Sequence, residues 1–385
     1  MRHFQFVPAD EQARLFLERP QEFTADDSLD VLAMALGASL YSPATRPKLA
    51  AELIRSAARG VISVVLCLED SVPDAQVSAA EQNLLAQLRT YAATEHSPLM
   101  IFVRVRSAEQ VAMIVEGLED AESVLTGFVV PKFTDDNGAA YLDAIVAASE
   151  RVGRPLLAMP VLESPGISYA ESRMAVLLAT RALIDKYPET VLAIRLGATD
   201  LSAPFGLRRS RDMTVYDVRL IADVISDVVN VFTRDGAGYA VTGAVWEYYS
   251  GAERMFKPQL RRTPFREHDE GDLRTRLIEH DLDGLIREIT LDRANGLTGK
   301  TVIHPSHVAA VHALSVATHE EYLDALDVAG TNCGGGVQAS AYQNKMNESK
   351  PHAVWAQRML RRARVFGVAA PEVSFVDLLG ASLSS

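Results

Sequence analysis

Cysteine is scarce: Cys67 and Cys333 are the only two in 385 residues. Neither has metal-ligand spacing to a second soft ligand, which argues against a cysteine-rich zinc site or a disulfide scaffold and for a reducing, cytoplasmic compartment. Histidine offers no zinc motif either, since His304 and His307 stand only three apart beside Pro305. No apolar run reaches the roughly 18 residues of a membrane span. Residues 1–10 carry Arg2, His3, Pro8 and Asp10 where a signal peptide would place a charged and then an apolar region. Basic blocks are missing as well. With 38 Lys and Arg against 50 Asp and Glu, the net charge of −12 argues against nucleic-acid and anionic-membrane partners.

What the chain does have is an alternation of short apolar runs and helical patterns. Candidate strands are 38–42, 62–68, 99–105, 127–131, 156–162, 191–196, 239–242 and 301–303. Helical patterns follow most of them, at 47–59, 78–91, 108–118, 139–152, 170–186 and 215–231. Eight such units over about 270 residues predict an α/β fold of the (β/α)8 TIM-barrel type, which needs roughly 250. A doubly wound sheet is the weaker alternative, because no glycine-rich fingerprint follows the first strand. The division expected is an N-terminal extension (1–37), whose polar residues 1–30 drape over the outside, a barrel (38–320) and a C-terminal helical extension (321–385). The long aromatic and charged segment 245–272 follows the seventh strand, where a barrel carries its active-site loops; it reads equally as a lid or as a surface excursion.

Two acidic residues end buried runs. Glu163 closes 156–162 and is followed by Ser164-Pro165-Gly166; Asp200 follows 191–196 and Gly197-Ala198-Thr199. Carboxylates at the C-terminal ends of neighbouring parallel strands stand where such folds place their chemistry, and together they suit one hard cation such as Mg2+. Each also reads as a helix N-cap. Glu69 and Asp70 end the second strand, pointing to opposite faces, with an N-cap worth about 1 kcal/mol as the alternative reading of Asp70. Arg104 and Arg106 share a face under period-two alternation. They suit a substrate carboxylate or, equally, an ion pair with Glu69 or Asp70. Lys132 ends the fourth strand as a second cationic contact or a solvated loop residue. Residues 294–301 (ANGLTGKT) imitate a phosphate-binding loop, but a helical pattern precedes them and a strand follows. The order is reversed, so the segment reads as a turn with a helix-ending Gly296 and no nucleotide site.

In this order the motifs resemble the HpcH/HpaI aldolase and citrate lyase β-subunit family. The residues that carry the likeness are LYSPATRP at 40–47, LEDSVP at 68–73, VRV at 103–105, VPK at 130–132, LESP at 162–165, LGATDL at 196–201 and GKTVIHPS at 299–306. The resemblance implies a barrel of the phosphoenolpyruvate/pyruvate-binding superfamily, with Mg2+ held at Glu163 and Asp200. Its chemistry would be cleavage or formation of a carbon–carbon bond in a small oxo- or hydroxy-acid, or its CoA thioester, through a metal-stabilised enolate. It further implies substrate contacts from Arg104, Arg46, Lys132 and Pro165, and catalytic roles for Arg104, Glu69 and Asp70. Glu348 stands nearest the acid that family members extend into a neighbouring subunit, which implies a homo-oligomer. The helix at 351–366, with Val354, Trp355, Met359 and Leu360, would then cover a neighbour's barrel or cap its own. The N-terminal 37 residues and the 245–272 loop look like additions and resemble a divergent bacterial branch of TIM-barrel C–C bond lyases associated with tellurium-resistance and stress gene clusters. Competing readings are thioester hydrolysis or condensation on the same site, and a non-catalytic subunit of a stress-response complex.

Overall fold

A computed structural model describes residues 1–234, 238–249, 282–330 and 336–384. The apolar runs form eight parallel strands: β1 (Ala38–Pro43), β2 (Ser63–Cys67), β3 (Met100–Arg104), β4 (Leu125–Val130), β5 (Leu157–Leu162), β6 (Ala193–Leu196), β7 (Ala240–Trp246) and β8 (Lys300–Val302). They close into one barrel, β8 pairing back on β1 through Ser39 and Thr301. Strands buried on both faces explain the near-continuous apolar runs. All eight expected strands are present, and helices cover the outside. Residues 215–231 differ in detail: a one-turn segment Val215–Asp217 precedes the helix Arg219–Phe232. That helix buries Ile221, Val224, Ile225 and Val228, the spacing of an amphipathic face. Residues 250–272 of the expected lid segment, and Cys333, lie outside the described residues.

The N-terminal extension is a correction. It does not drape over the outside: Phe4, Leu15, Phe16 and Phe23 are buried in the main core, and Phe16–Glu18 pairs with Val368–Ala369. Chain start and chain end therefore interlock beneath the barrel. His3 and His312, both buried, meet there edge to face at 4.5 Å. The tail is covered by its own chain. Helix Ser349–Phe366 buries Ala356, Met359, Ala363, Val365 and Phe366, and it packs on helices His319–Gly330 and Leu29–Ala35, while Trp355 stays 38% exposed.

Residues 294–299 form the expected turn, between helix Leu282–Ala294 and β8, with positive φ at Gly296 (+85°) and Gly299 (+68°). Lys300 is sealed between barrel and helix. Its Nζ lies 2.9 Å from Glu288 Oε1 and 2.7 Å from Asp292 Oδ2, and all three side chains are buried. Arg209 also pairs with Glu288, and the Tyr216 hydroxyl donates to Asp292 at 2.8 Å. This lysine is thus a buried strut with no access to a phosphate. Lys300→Met would take the ammonium from both buried carboxylates, leaving Glu288 with Arg209 and Asp292 with the Tyr216 hydroxyl, and breaking such a network costs about 3–5 kcal/mol. Urea unfolding should show a loss of that size; an unchanged midpoint would contradict the network's structural role.

Candidate active site

The strand ends bring four charged side chains together around Arg104, the last residue of β3. Its Nη2 lies 2.7 Å from Glu69 Oε2, 2.9 Å from Glu163 Oε1 and 3.3 Å from Asp70 Oδ2. Lys132, just past β4, places Nζ 2.6 Å from Glu69 Oε1 and 3.3 Å from Asp70 Oδ1. A left-handed backbone at Lys132 (φ +49°) accompanies a second contact, in which its backbone N–H donates to Glu163 Oε1 at 3.0 Å. Residues from β2, β3, β4 and β5 therefore meet at one end of the barrel, the end where the fold places its chemistry.

Glu163 is the buried member, 3% exposed. Burial drives its carboxyl up to about 7 although Arg104 and the Lys132 amide pull the other way, and the nearby Asp200 charge pushes it further up. The β6 turn is built around it: a Cβ added at Gly197 would stand 2.0 Å from Glu163 Oε2. Asp200, on the short helix Ala198–Ser202, is half-buried, and its carboxylate has no ion-pair or hydrogen-bond partner among the described residues. Beside Glu163 the buried Ser164 hydroxyl lacks a partner, as does Nε of Arg104. Asp70 is held below the usual carboxylate range: burial opposes ionisation, but its contact with Glu69 and the charges of Arg104 and Lys132 outweigh that. Burial disfavours the Lys132 ammonium too, yet bonding to Glu69 holds its pKa above the ordinary value.

Among the described residues no group of three or more His, Cys, Asp and Glu side chains is arranged to hold a metal. Two oxygen donors are nevertheless what a Mg2+ ion takes when waters and substrate oxygens complete its shell. Glu163 and Asp200, with an unpartnered hydroxyl alongside, fit that ion. Glu69 and Asp70 are both engaged by the two cations, Arg104 and Lys132.

The remaining candidates from the sequence fall elsewhere. Arg106 does not share the pocket with Arg104, because the strand ends at Arg104 and alternation stops applying. Its guanidinium donates to the carbonyls of Leu68, Glu69 and Val72 and pairs with Asp74 at 2.6 Å, pinning the loop that carries Glu69 and Asp70. Arg46 is half exposed and reaches Glu52 at 3.3 Å, outside the Arg104 cluster. Pro165 is exposed at the first position of helix Pro165–Ser168 and acts through the backbone it fixes. Glu348 is exposed on the hairpin Val337–Ala339/Met346–Glu348, and its backbone N–H donates to His352 at 3.1 Å; it makes no bond to the cluster of its own chain.

Arg195 went unnoticed in the sequence. It lies inside the barrel, 1% exposed, with its guanidinium donating to the hydroxyls of Ser39 (3.2 Å) and Thr301 (2.5 Å) beneath the ring of Tyr41. A charged residue in the apolar run Ala193–Leu196 was the available signal. Two cavities, of about 780 and 580 Å3, open at the opposite end of the strands and contain none of the Arg104 cluster.

A closed parallel barrel with acidic and basic side chains converging at its C-terminal strand ends defines a TIM-barrel enzyme architecture. The model of the C–C bond lyases of the TIM-barrel fold matches residues 30–368. The chain belongs to that family. No curated protein matches it. Among solved structures, a citrate lyase from Burkholderia xenovorans LB400 superposes with a TM-score of 0.59 at 16% identity, covering 89% of this chain and 96% of its own. The protein CitE from Mycobacterium tuberculosis, in complex with magnesium, acetoacetate and coenzyme A, gives 0.51 at 22% identity, covering 86% of this chain and 99% of its own. At these identities the likeness is one of fold.

The buried carboxyl makes stability depend on pH. Because Glu163 is lifted from 4.5 to about 7 in the folded state, its contribution is fully present below about 4.5 and is lost as pH rises to about 7. The span corresponds to about 3 kcal/mol. In metal-free buffer the wild type should lose stability across that window and Glu163→Gln should not. Equal pH slopes in urea unfolding of the two proteins would contradict the assignment.

Proposed function

We propose that this lyase cleaves or forms a carbon–carbon bond in a small oxo- or hydroxy-acid, with Mg2+ at Glu163 and Asp200. The observation that carries the reading is the buried Glu163 carboxylate, gripped by Arg104 on one side and flanked by the unpartnered Asp200 on the other. When bound, Mg2+ supplies a Lewis acid for the negative charge that develops on an enolate oxygen. Arg104 uses Nη2 for all three carboxylates, which leaves Nη1 to take the substrate's carboxylate. Lys132, half exposed, offers a second positive charge at the rim. Glu69 holds both cations at fixed positions, so little reorganisation is needed when the anionic substrate arrives. A CoA thioester of the acid is the variant of this reading suggested by the coenzyme A bound to the M. tuberculosis protein. Titration with CoA and with the free acid separates the two.

Glu163→Gln and Asp200→Asn should each lower Mg2+ affinity at least tenfold by calorimetry, a loss of about 1.4 kcal/mol or more, while the fold is kept. Affinity unaltered in both variants would remove the metal site. Arg104→Lys keeps the charge but turns a fork into a point charge. Binding of pyruvate or oxaloacetate in the presence of Mg2+ should weaken by about tenfold or more. Undiminished binding would place the carboxylate anchor elsewhere.

A further inference from the structure

The second cavity, about 580 Å3, lies at the far end of the barrel between the C-terminal helix Ser349–Phe366, the turn before β8 and helix Leu29–Ala35. Among the described residues four arginines line it, Arg293, Arg358, Arg361 and Arg362, against two carboxylates, Asp30 and Glu321. In a chain of net charge −12, that local excess of positive charge is unusual. The carboxylates are fully engaged. Glu321 takes Arg293 at 3.0 Å and Arg362 at 2.5 Å, and Asp30 takes Arg361 at 2.6 Å. Arg358 has no carboxylate among the described residues and donates instead to the Thr233 carbonyl. Nε of Arg293 and of Arg362 is buried without a partner. Arg362 is pushed down to about 10 by burial and by the neighbouring Arg293 charge, a crowding that a bound anion would relieve. Arg358, Arg361 and Arg362 stand at i, i+3 and i+4 and so share one face of their helix.

We propose that this cavity is a binding site for a small phosphoryl-bearing anion. Guanidinium forks match the oxygens of a phosphoryl group, and a doubly charged anion offsets the two positive charges that the carboxylates among the described lining residues leave unmatched. The volume exceeds that of a phosphate, and the exposed indole of Trp355 at the wall offers a surface to an organic remainder. Lys300 plays no part, because Glu288 and Asp292 seal it away. The site lies at the opposite end of the strands from Arg104, so its ligand is distinct from the substrate proposed there.

The test titrates pyrophosphate into the full chain in magnesium-free buffer, reading calorimetric heat and tryptophan fluorescence. Of the two tryptophans, Trp246 is buried at 1% and Trp355 is 38% exposed, so a change in emission reports the cavity. The wild type should bind saturably with a fluorescence change that Trp355→Phe removes. The double variant Arg358→Ala, Arg361→Ala should bind at least tenfold more weakly with an unchanged thermal midpoint. Absence of saturable binding in the wild type overturns the proposal, as does equal affinity in the double variant. Succinate binding more tightly than pyrophosphate would overturn the phosphoryl assignment.

Discussion

One guanidinium organises the site. Arg104 Nη2 touches carboxylates carried by β2 and β5 from its own place at the end of β3, so three strand ends are tied together by charge as well as by the barrel's ladder. Without Arg104, Glu163 would be a buried carboxylate held by one backbone amide, and Glu69 would keep Lys132 and the Asp70 backbone N–H. Buried charge is tolerated when it is paired and hydrogen-bonded, and it is costly otherwise. Glu163 sits near the edge of that tolerance: even with Arg104 beside it, burial holds its carboxyl at about 7. A second cation near Glu163 would favour its ionised form, so the electrostatics of this chain support the metal proposed there.

The two ends of the barrel divide their labour. At the far end Lys300 is sealed between Glu288 and Asp292, while Glu321 pairs with Arg293 and Arg362 at the wall of the second cavity. There the N-terminal segment and the tail complete the core. At the chemical end charges are left partly open. Lys132 and Asp70 are each about half exposed, and Asp200 has no partner among the described residues. Arg195 lies between the two ends, a guanidinium held by hydroxyls and an aromatic face inside the barrel.

The barrel was legible in the sequence because its strands are buried on both faces, and eight apolar runs at regular spacing leave few alternatives. Glu163 stood out for a related reason: a carboxylate directly after such a run interrupts a pattern that burial imposes, and Asp200 follows its own run after Gly197-Ala198-Thr199. The N-terminal segment was misread because its burial rests on a few separated residues, Phe4, Leu15, Phe16 and Phe23, within a polar stretch that shows no period. Arg106 was misplaced because alternation holds only while the strand lasts, and the chain turns after Arg104. The tail's apolar stripe signalled that something is covered without saying whose surface. Ser164 and the role of Gly197 leave no mark in one dimension, since each matters through an approach across strands.

The central claim is that Glu163 and Asp200 share one divalent cation. It is tested most directly by diffraction from crystals soaked in Mn2+ and pyruvate, using the ion's anomalous signal to locate it. The account predicts a single strong peak bridging these two carboxylates, with pyruvate oxygens and water completing the shell and the pyruvate carboxylate against Arg104. A peak bound by other residues, or none at this pair with the ion in excess, would contradict it.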